Sequence, residues 1–363
     1  MWLYVHTKNS KKGDRELMLR EAFGTDKQGK AVEVITLTNA NGTEAKIATL
    51  GAILVAWNFK DKNGVVRDIV LGYDDAAAYL NGGCYFGATI GRSSNRIAGG
   101  KIVINGVDYQ LEQNDGTNNL HSGSNGMHAV VWDVEAVSEN SITLKYLSAD
   151  GEQDFPGNMT VKLTYTLSDD DALSIDYEAV SDKDTVANFT NHSYFNLGGH
   201  DSGDIYGQKL KIYAESFNPV TPTGSIPTGE NRPVEGTPFD FREFKEIGKD
   251  ADADYDQLAY TGGYDHNFVL DDKKEVRIMA EAICEETGIH LYGYTDCPGV
   301  QLYASNFVEG ENGKGGAVYN KHQAFCLESQ YFPDSMNNPN FETPLLKAGD
   351  VYKSTTIYKL ALD

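Results

Sequence analysis

Basic residues are scarce in this chain of 363 residues. Lys and Arg together number 31 against 53 Asp and Glu, which gives a formal net charge of −22. A field of that sign repels the phosphates of nucleic acids and the headgroups of anionic membranes. The composition therefore predicts no nucleic-acid partner and no membrane partner, and it suits a neutral small molecule as substrate.

Cysteine and long apolar runs are scarce as well. The four cysteines are scattered and form no Cys-x-x-Cys pair, which argues against a disulfide framework and against a zinc site. No apolar run approaches the length that spans a membrane. The five apolar residues that lead the N-terminus are too few for the core of a secretion signal. We expect a soluble protein in the cytoplasm, or an exported, periplasmic one if a signal has been removed.

Motifs for metals and phosphates fail on inspection. The acidic alternation from Asp250 to Asp256 resembles the start of a calcium loop, but Tyr255 replaces the required Gly and Thr261 replaces the final Glu. The glycine-rich turn at 310–316 has too short a spacing before Lys314 for a phosphate loop, and no Ser or Thr follows the lysine. No pair of histidines has the spacing of metal ligands. The sequence predicts no metal and no cofactor.

Strand patterns and turns dominate what remains. The chain has 37 Gly and 21 Tyr, a composition that favours short strands and hairpins. Hairpin turns are indicated at 39–42, 61–64 and 105–106. Alternating segments predict strands at 32–37, 44–50, 53–59, 65–71, 101–104, 109–111, 141–147, 159–167, 173–180, 209–214, 267–270, 275–283, 290–295, 300–305 and 351–360. More than a dozen strands without βαβ alternation predict an all-β protein built as a large antiparallel β-sandwich.

The domain organisation is predicted to be simple. Brief helices are expected only at 74–80 and in the acidic region 244–258, and the longest irregular region is 218–242 with its five prolines. Neither a linker nor a repeat divides the chain. We predict one domain over 1–363, with residues 1–30 as an N-terminal extension or edge segment, in a monomer or weak homodimer.

Several stretches place a polar or charged residue among apolar strand residues and glycines. The most distinctive is NFTNHSYFNLGG (188–199), where His192 lies in an aromatic and apolar setting. A buried imidazole is easily tuned to give or take a proton near neutral pH. Each stretch has a structural alternative: a lone His is often a satisfied core residue, Glu328 could be a strand residue that faces water, and Arg96 could pair with an acidic neighbour.

Taken in order, the stretches resemble the aldose 1-epimerase (galactose mutarotase) family from about residue 32 to 360. The resemblance rests on GATIGRSSNRI (87–97), NNLHSG (118–123), NHSYFNLGG (191–199), the segment 226–242, GYDHNFVL (263–270), PGVQLYASNF (298–307) and CLESQYFPDSMNNPNF (326–341). The family's fold is a large antiparallel β-sandwich, in agreement with the strand pattern. Ser122 and Ser329 depart from the family pattern, which commonly has Gly and often has Pro at these positions.

The resemblance implies an isomerase that interconverts the anomers of free hexoses such as glucose and galactose. Carried over by motif, Glu328 is the implied general base and His192 the implied general acid. The implied substrate-binding residues are Arg96, His121, Asp265, Asn95, Gln301 and Tyr194, and their hydrogen-bonding groups suit a neutral polyol.

Three other functions stay open from the sequence. A hexose-6-phosphate 1-epimerase on the same fold needs extra Arg or Lys at the mouth of the pocket. A non-catalytic sugar-binding protein needs no acid–base pair, so retention of both Glu328 and His192 argues against it. A glycoside hydrolase needs two carboxylates across the glycosidic bond, for which Asp265 and Glu328 are the candidates.

Overall fold

The structure is a computed structural model that describes residues 20–271 and 274–363. The first strands in chain order are β1 (Arg20–Thr25), β2 (Ala31–Thr38), β3 (Glu44–Ala48), β4 (Leu54–Lys60), β5 (Val66–Asp68), β6 (Thr89–Ile90), β7 (Arg96–Ile97), β8 (Lys101–Ile104), β9 (Val107–Gln110) and β10 (Asn119–Leu120). The next are β11 (Asp133–Val137), β12 (Ser141–Ser148), β13 (Met159–Leu167), β14 (Ala172–Ser181), β15 (Thr185–Val186), β16 (Thr190–Asn191), β17 (Lys209–Ile212), β18 (Ser216–Phe217), β19 (Arg232–Pro233) and β20 (Lys245–Glu246). The last are β21 (Asp265–Val269), β22 (Arg277–Cys284), β23 (Ile289–Thr295), β24 (Gly299–Tyr303), β25 (Glu311–Asn312), β26 (Val318–Tyr319), β27 (Cys326–Gln330), β28 (Leu345–Leu346) and β29 (Val351–Leu362). The α-helices of the described residues are α1 (Ala76–Asn81) and α2 (Asp256–Thr261).

Three antiparallel sheets form the body of the protein. The first follows chain order from β1 to β5. The second is large, with nine strands in the order β11-β12-β13-β14-β29-β23-β22-β17-β20. The third has five strands in the order β19-β18-β21-β24-β27. The prediction of an all-β antiparallel sandwich is confirmed.

One buried cluster joins the three sheets. Ile35 and Trp57 enter it from the first sheet, Leu163 from the second, and Phe268 and Leu327 from the third. In β13 the sequence MTVKLTYTL alternates strictly between buried and half-buried side chains, as a strand with one face on the core should. The single domain over 1–363 stays a prediction.

Most predicted strands and turns are found close to their expected bounds. The predicted hairpins are present as the antiparallel pairs β2–β3, β4–β5 and β8–β9. The helix expected at 74–80 is α1, whose first turn is capped by Asp75 through a bond from the Ala78 amide to its carboxylate. The brief helix expected in the region 244–258 is found only at its end, where α2 begins at Asp256, and the start of the region holds β20, which pairs with β17.

The third sheet positions the candidate site because its central strands are buried on both faces. In β21, β24 and β27 nearly every residue is buried. Strand alternation points Phe268 and Leu327 into the core and turns Asp265 and Glu328 to the opposite, polar face. None of the helices in residues 20–271 and 274–363 has the length and hydrophobicity that crossing a bilayer requires.

Candidate active site

A cavity of about 450 Å³ opens onto the polar face of the third sheet. Of the predicted site residues, Asn95, Arg96, His121, His192, Tyr194, Asp265 and Glu328 line it. These residues come from segments as distant in the chain as those of Asn95 and Glu328. Gln301, the other predicted residue, lies behind Asp265 and bonds to its carboxylate. The structure therefore brings the predicted residues together in one place.

The register of β21, β24 and β27 explains how their side chains meet at the cavity. Gln301 of β24 stands opposite Glu328 of β27, and Tyr303 stands opposite both Asp265 of β21 and Cys326 of β27. Residues two apart on a strand share a face, so Cys326 and Glu328 both project toward the cavity side. Glu328 is buried, with 2% of its surface exposed, which rules out the alternative that it faces water.

His192 is fixed by its backbone and by neighbouring rings. Its amide donates to the carbonyl of Ala88, and its carbonyl accepts from the amide of Gly87. Gly87 has φ +65°, and a Cβ there would lie 2.1 Å from the Leu54 carbonyl oxygen, so the close approach requires glycine. The rings of Tyr194 and Tyr85 lie nearly parallel to the imidazole, with centroids 5.0 and 5.9 Å away. The imidazole plane is thereby set.

Imidazole and carboxylate then face each other as a pair. Nε2 of His192 lies 3.6 Å from Oε2 of Glu328, and within the described residues this oxygen accepts no hydrogen bond. Burial raises the pKa of Glu328 well above its usual range, and the charge of Asp265 adds to this while Arg96 opposes it. Burial also lowers the pKa of His192 to about 3. Both directions disfavour charge, so burial favours the neutral pair, in which one titratable proton is shared between the two groups in addition to the N–H that a neutral imidazole keeps.

Arg96 is held between two carboxylates at the cavity wall. Its Nε donates to Oδ2 of Asp115 at 2.9 Å, and its NH1 lies 3.7 Å from Oδ2 of Asp265. Burial works to lower the pKa of Arg96, but Asp265 and Asp115 outweigh it and raise the pKa. Arg96 thus pairs with acidic neighbours, as the structural alternative proposed, and also lines the cavity.

His121 has its tautomer set by a neighbouring loop. The amide of Asn95 donates to Nδ1 of His121 at 3.2 Å, and the His121 amide donates back to the Asn95 carbonyl. An imidazole that accepts at Nδ1 and is neutral carries its proton at Nε2. Burial lowers the pKa of His121 well below its usual range, so the ring is neutral. His121 can therefore donate a hydrogen bond into the cavity.

The same tautomer bears on metal binding. His121, His192 and Glu328 each place one potential ligand atom within 4.8 Å of the other two. Metal ligation requires a free lone pair on each imidazole. On His121 one nitrogen accepts from Asn95 and the other carries the proton, so this donor set suits hydroxyl groups better than a cation.

Ser122, one of the two departures from the family pattern, occupies a strained position. Its φ is +69°, in the left-handed region that favours glycine. Its hydroxyl accepts from the amide of Ser93 at 2.7 Å and donates to the Ser93 carbonyl at 3.0 Å. These two bonds tie the loop that carries His121 to the loop that carries Asn95, and they offset the backbone strain.

Other wall residues were missed from the sequence. They are Tyr85, Asp115, Tyr303 and Phe307, with Cys326 behind His192. Tyr85 has φ +57°, and its ring contacts His121 and His128 as well as His192. No local sequence pattern predicts that a single Tyr in a glycine-rich loop will contact the histidines of the site. Asp115 pairs with Arg96, for which an acidic neighbour was expected, but the sequence did not indicate which acidic residue it would be.

The fold and the cavity together define the class of the protein. His192 and Glu328 form a buried acid–base pair on an antiparallel sandwich, and hydrogen-bonding side chains surround them. Such a site is typical of an enzyme that transfers protons to and from an uncharged polyol.

Comparison with known proteins specifies the family. The aldose 1-epimerase family model matches residues 33–359. The galactose mutarotase of Rattus norvegicus is 41% identical over 335 residues, 92% of this chain and 95% of that protein. The aldose 1-epimerase of Escherichia coli (strain K12) is 35% identical over 345 residues, 94% of this chain and 99% of that protein. The crystal structure of a GalM/aldose epimerase homologue from C. elegans superposes with a TM-score of 0.84 at 31% identity, covering 92% of this chain and 99% of that one. The chain belongs to the aldose 1-epimerase family.

Proposed function

We propose that this chain is a mutarotase that interconverts the α- and β-anomers of free hexoses such as glucose and galactose. The observation that carries the proposal is the buried pair of His192 Nε2 and Glu328 Oε2, 3.6 Å apart in a cavity whose other polar groups are hydrogen-bond donors and acceptors. Family membership and the names of the relatives support it.

Glu328 is the general base and His192 the general acid. With sugar bound, the single proton of the pair sits on His192 and Glu328 is a carboxylate. Glu328 takes the proton of the C1 hydroxyl while Nε2 of His192 gives its proton to the ring oxygen, and the bond between C1 and the ring oxygen breaks. The product is the open-chain aldehyde. The pair has exchanged one proton and is neutral before and after the step.

Rotation about the C1–C2 bond presents the other face of the aldehyde. The C5 hydroxyl oxygen then attacks C1, its proton returns to Nε2 of His192, and Glu328 gives its proton to the former carbonyl oxygen. The opposite anomer forms and the enzyme regains its starting state. General acid–base catalysis of this kind typically contributes about 10²–10⁴-fold.

The remaining groups hold the hydroxyls. Asp265 accepts, Arg96 donates, and His121 donates from Nε2, and charge-assisted bonds from the first two are the stronger ones. Asn95 and Tyr194 line the same cavity and complete the substrate-binding set. Gln301 contributes by supporting Asp265 rather than from the wall itself.

A phosphorylated hexose is the less suitable substrate. Within the described residues, Arg96 is the cavity's one Lys or Arg, and both Asp115 and Asp265 already neutralise it. Glu328 adds a third acidic group to the wall. A dianionic phosphate would meet more negative than positive charge there.

Polarimetry tests the proposal. Freshly dissolved α-D-glucose and α-D-galactose should reach their equilibrium rotation faster with wild-type protein, and added glucose 6-phosphate should not inhibit. Glu328→Gln should lose about 10²–10⁴-fold in kcat and retain sugar binding by calorimetry. Glu178→Gln, a surface glutamate paired with Lys353, is the matched control. Near-normal anomerisation by Glu328→Gln would show that Glu328 is not the base.

His192→Asn separates catalysis from folding. We expect it to lose turnover while its thermal unfolding midpoint stays near that of wild type. A variant that simply unfolds would support a structural role for this histidine.

The proposal extends to the setting of the enzyme. All four cysteines are free thiols, which persist in reducing compartments, and this supports action in the cytoplasm. We propose a monomer or weak homodimer in solution, to be measured by analytical ultracentrifugation.

A further inference from the structure

His192 has two ring nitrogens, and the reaction uses one of them. Nε2 faces Glu328, while Nδ1 lies 3.6 Å from Sγ of Cys326, within the range of a hydrogen bond to sulfur. Cys326 is fully buried and lies two residues before Glu328 on β27. One strand therefore presents both partners of the imidazole.

We propose that Cys326 is a positioning residue whose sulfur accepts the Nδ1–H of His192, so that Nε2 is always the nitrogen that exchanges a proton with the sugar. This inference rests on the proposed mutarotase function. Neutral imidazole has two tautomers, and only the one protonated at Nδ1 leaves Nε2 free to take back the proton of the C5 hydroxyl.

Sulfur also suits this role by its weakness as an acceptor. A carboxylate at this place would favour the charged imidazolium and retain the proton on His192. A thiol exerts little such pull, so His192 stays a strong acid toward the ring oxygen. Burial, together with the charges of Glu328 and Asp265, raises the pKa of Cys326 well above its usual range, so it remains a neutral thiol.

The surroundings leave the ring little freedom to find another partner. Tyr194 and Tyr85 lie nearly parallel to the imidazole, and its backbone is bonded on both sides to residues 87 and 88. Loss of the sulfur would remove the side-chain acceptor of Nδ1–H and leave the residue's own backbone as the remaining partner of the ring, so the tautomer with Nε2–H would gain population.

The test compares Cys326→Ala and Cys326→Ser with a matched control. Cys297→Ala removes a thiol that is also buried and also hydrogen-bonded, to Ser354, away from the cavity. We expect Cys326→Ala to lower kcat about tenfold with KM changed less than about twofold. Cys326→Ser keeps a polar acceptor at this position but on a shorter bond to Cβ, so it should recover only part of the loss. Cys297→Ala should keep wild-type kcat.

A spectroscopic readout keeps this test apart from the test of the mutarotase function. ¹⁵N NMR of the histidine rings, with the His192 signals assigned by their absence in His192→Asn, reports the tautomer whether or not the protein turns over sugar. We expect the Nδ1–H form in wild type and a mixture of both forms in Cys326→Ala. A wild-type ring protonated at Nε2, or a Cys326→Ala variant with unchanged kcat and unchanged ring signals, overturns the proposal.

Discussion

Gln301 donates a hydrogen bond of 2.7 Å to Oδ1 of Asp265 from behind the cavity wall. Its own carbonyl accepts from Gln330 at 3.2 Å, and Gln330 also donates to Asn267 at 3.1 Å. These buried amides form a neutral network that orients the Asp265 carboxylate without cancelling its charge. NH1 of Arg96 lies 3.7 Å from Oδ2 of Asp265, on the side away from Gln301. The Asp265 carboxylate therefore keeps the charge with which it can accept a hydrogen bond from a bound hydroxyl beside Arg96.

Gln301→Leu should weaken substrate binding more than turnover. The change removes the hydrogen bond that Gln301 donates to Asp265 and the acceptor that Gln301 offers to Gln330. Loss of these bonds should cost about 1–2 kcal/mol of binding free energy. We expect KM for galactose to rise about fivefold to tenfold with kcat within about threefold of wild type. Gln208→Leu, which removes another buried amide, bonded to Asn196, is the control. If both variants raise KM equally, the effect is general destabilisation rather than loss of support for Asp265.

Asp265→Asn should shift the pH dependence of kcat/KM to lower pH. The Asp265 charge raises the pKa of Glu328, and the active enzyme holds one proton on the Glu328–His192 pair. Removing a negative charge makes each proton of the pair easier to lose, so both limbs of the bell-shaped profile should move down. The profile is measured by polarimetry across a buffer series. An unchanged alkaline limb would show that this limb does not report Glu328.

The strands of the sandwich could be predicted because their side chains alternate, and the site because its motifs resemble a family. β27 illustrates the limit of alternation. Its CLESQ is buried on both faces, so Glu328 gives no polar-out signal, and the strand was not predicted from pattern. The same double burial is what makes Glu328 useful, because it removes the carboxylate from water.

Long-range contacts account for the rest of what was missed. Cys326 and His192 are 134 positions apart, and the Tyr85 ring reaches His192 through a left-handed backbone turn. Neither relation has a local signature. The position of the brief helix expected in 244–258 has a similar cause, because Lys245–Glu246 pairs with β17, a long-range contact, and the helix begins only at Asp256.

Lys314 should prove structural rather than functional. Its ammonium group donates hydrogen bonds to the carbonyls of Val55 and Val70 and to Oδ2 of Asp68. These bonds attach the glycine turn at 310–316 to the region of β4 and β5 in the first sheet. Lys314→Met leaves a carboxylate without its partner and should cost about 3–5 kcal/mol in the free energy of unfolding. Urea denaturation measures the cost, with the exposed Lys321→Met as control. A loss below about 1 kcal/mol would mean that water replaces the ammonium group.

Glu328→Gln should make the protein more stable at neutral pH even though it lowers kcat about 10²–10⁴-fold. Burial raises the pKa of Glu328 above that of the unfolded chain, so below the unfolded value both states are protonated and nothing is lost. As pH rises through the window between the two pKa values, the unfolded state sheds its proton and the folded state resists, which lowers stability. Gln has no proton to shed and escapes this cost.

The stabilisation should therefore depend on pH in a defined way. Near pH 4.5 the free energies of unfolding of wild type and Glu328→Gln in urea should coincide. By pH 7.5 the free energy of unfolding of the variant should be higher by on the order of 1 kcal/mol. Glu178→Gln, on the solvent face of β14, should show no such divergence. A Glu328→Gln variant less stable than wild type at pH 7.5 would mean that the folded protein stabilises the carboxylate, against the direction that its burial requires. We expect the opposite because, within the part of the chain that the structure describes, Oε2 of Glu328 accepts no hydrogen bond, so the protein does not stabilise the carboxylate and the bound substrate supplies the partner.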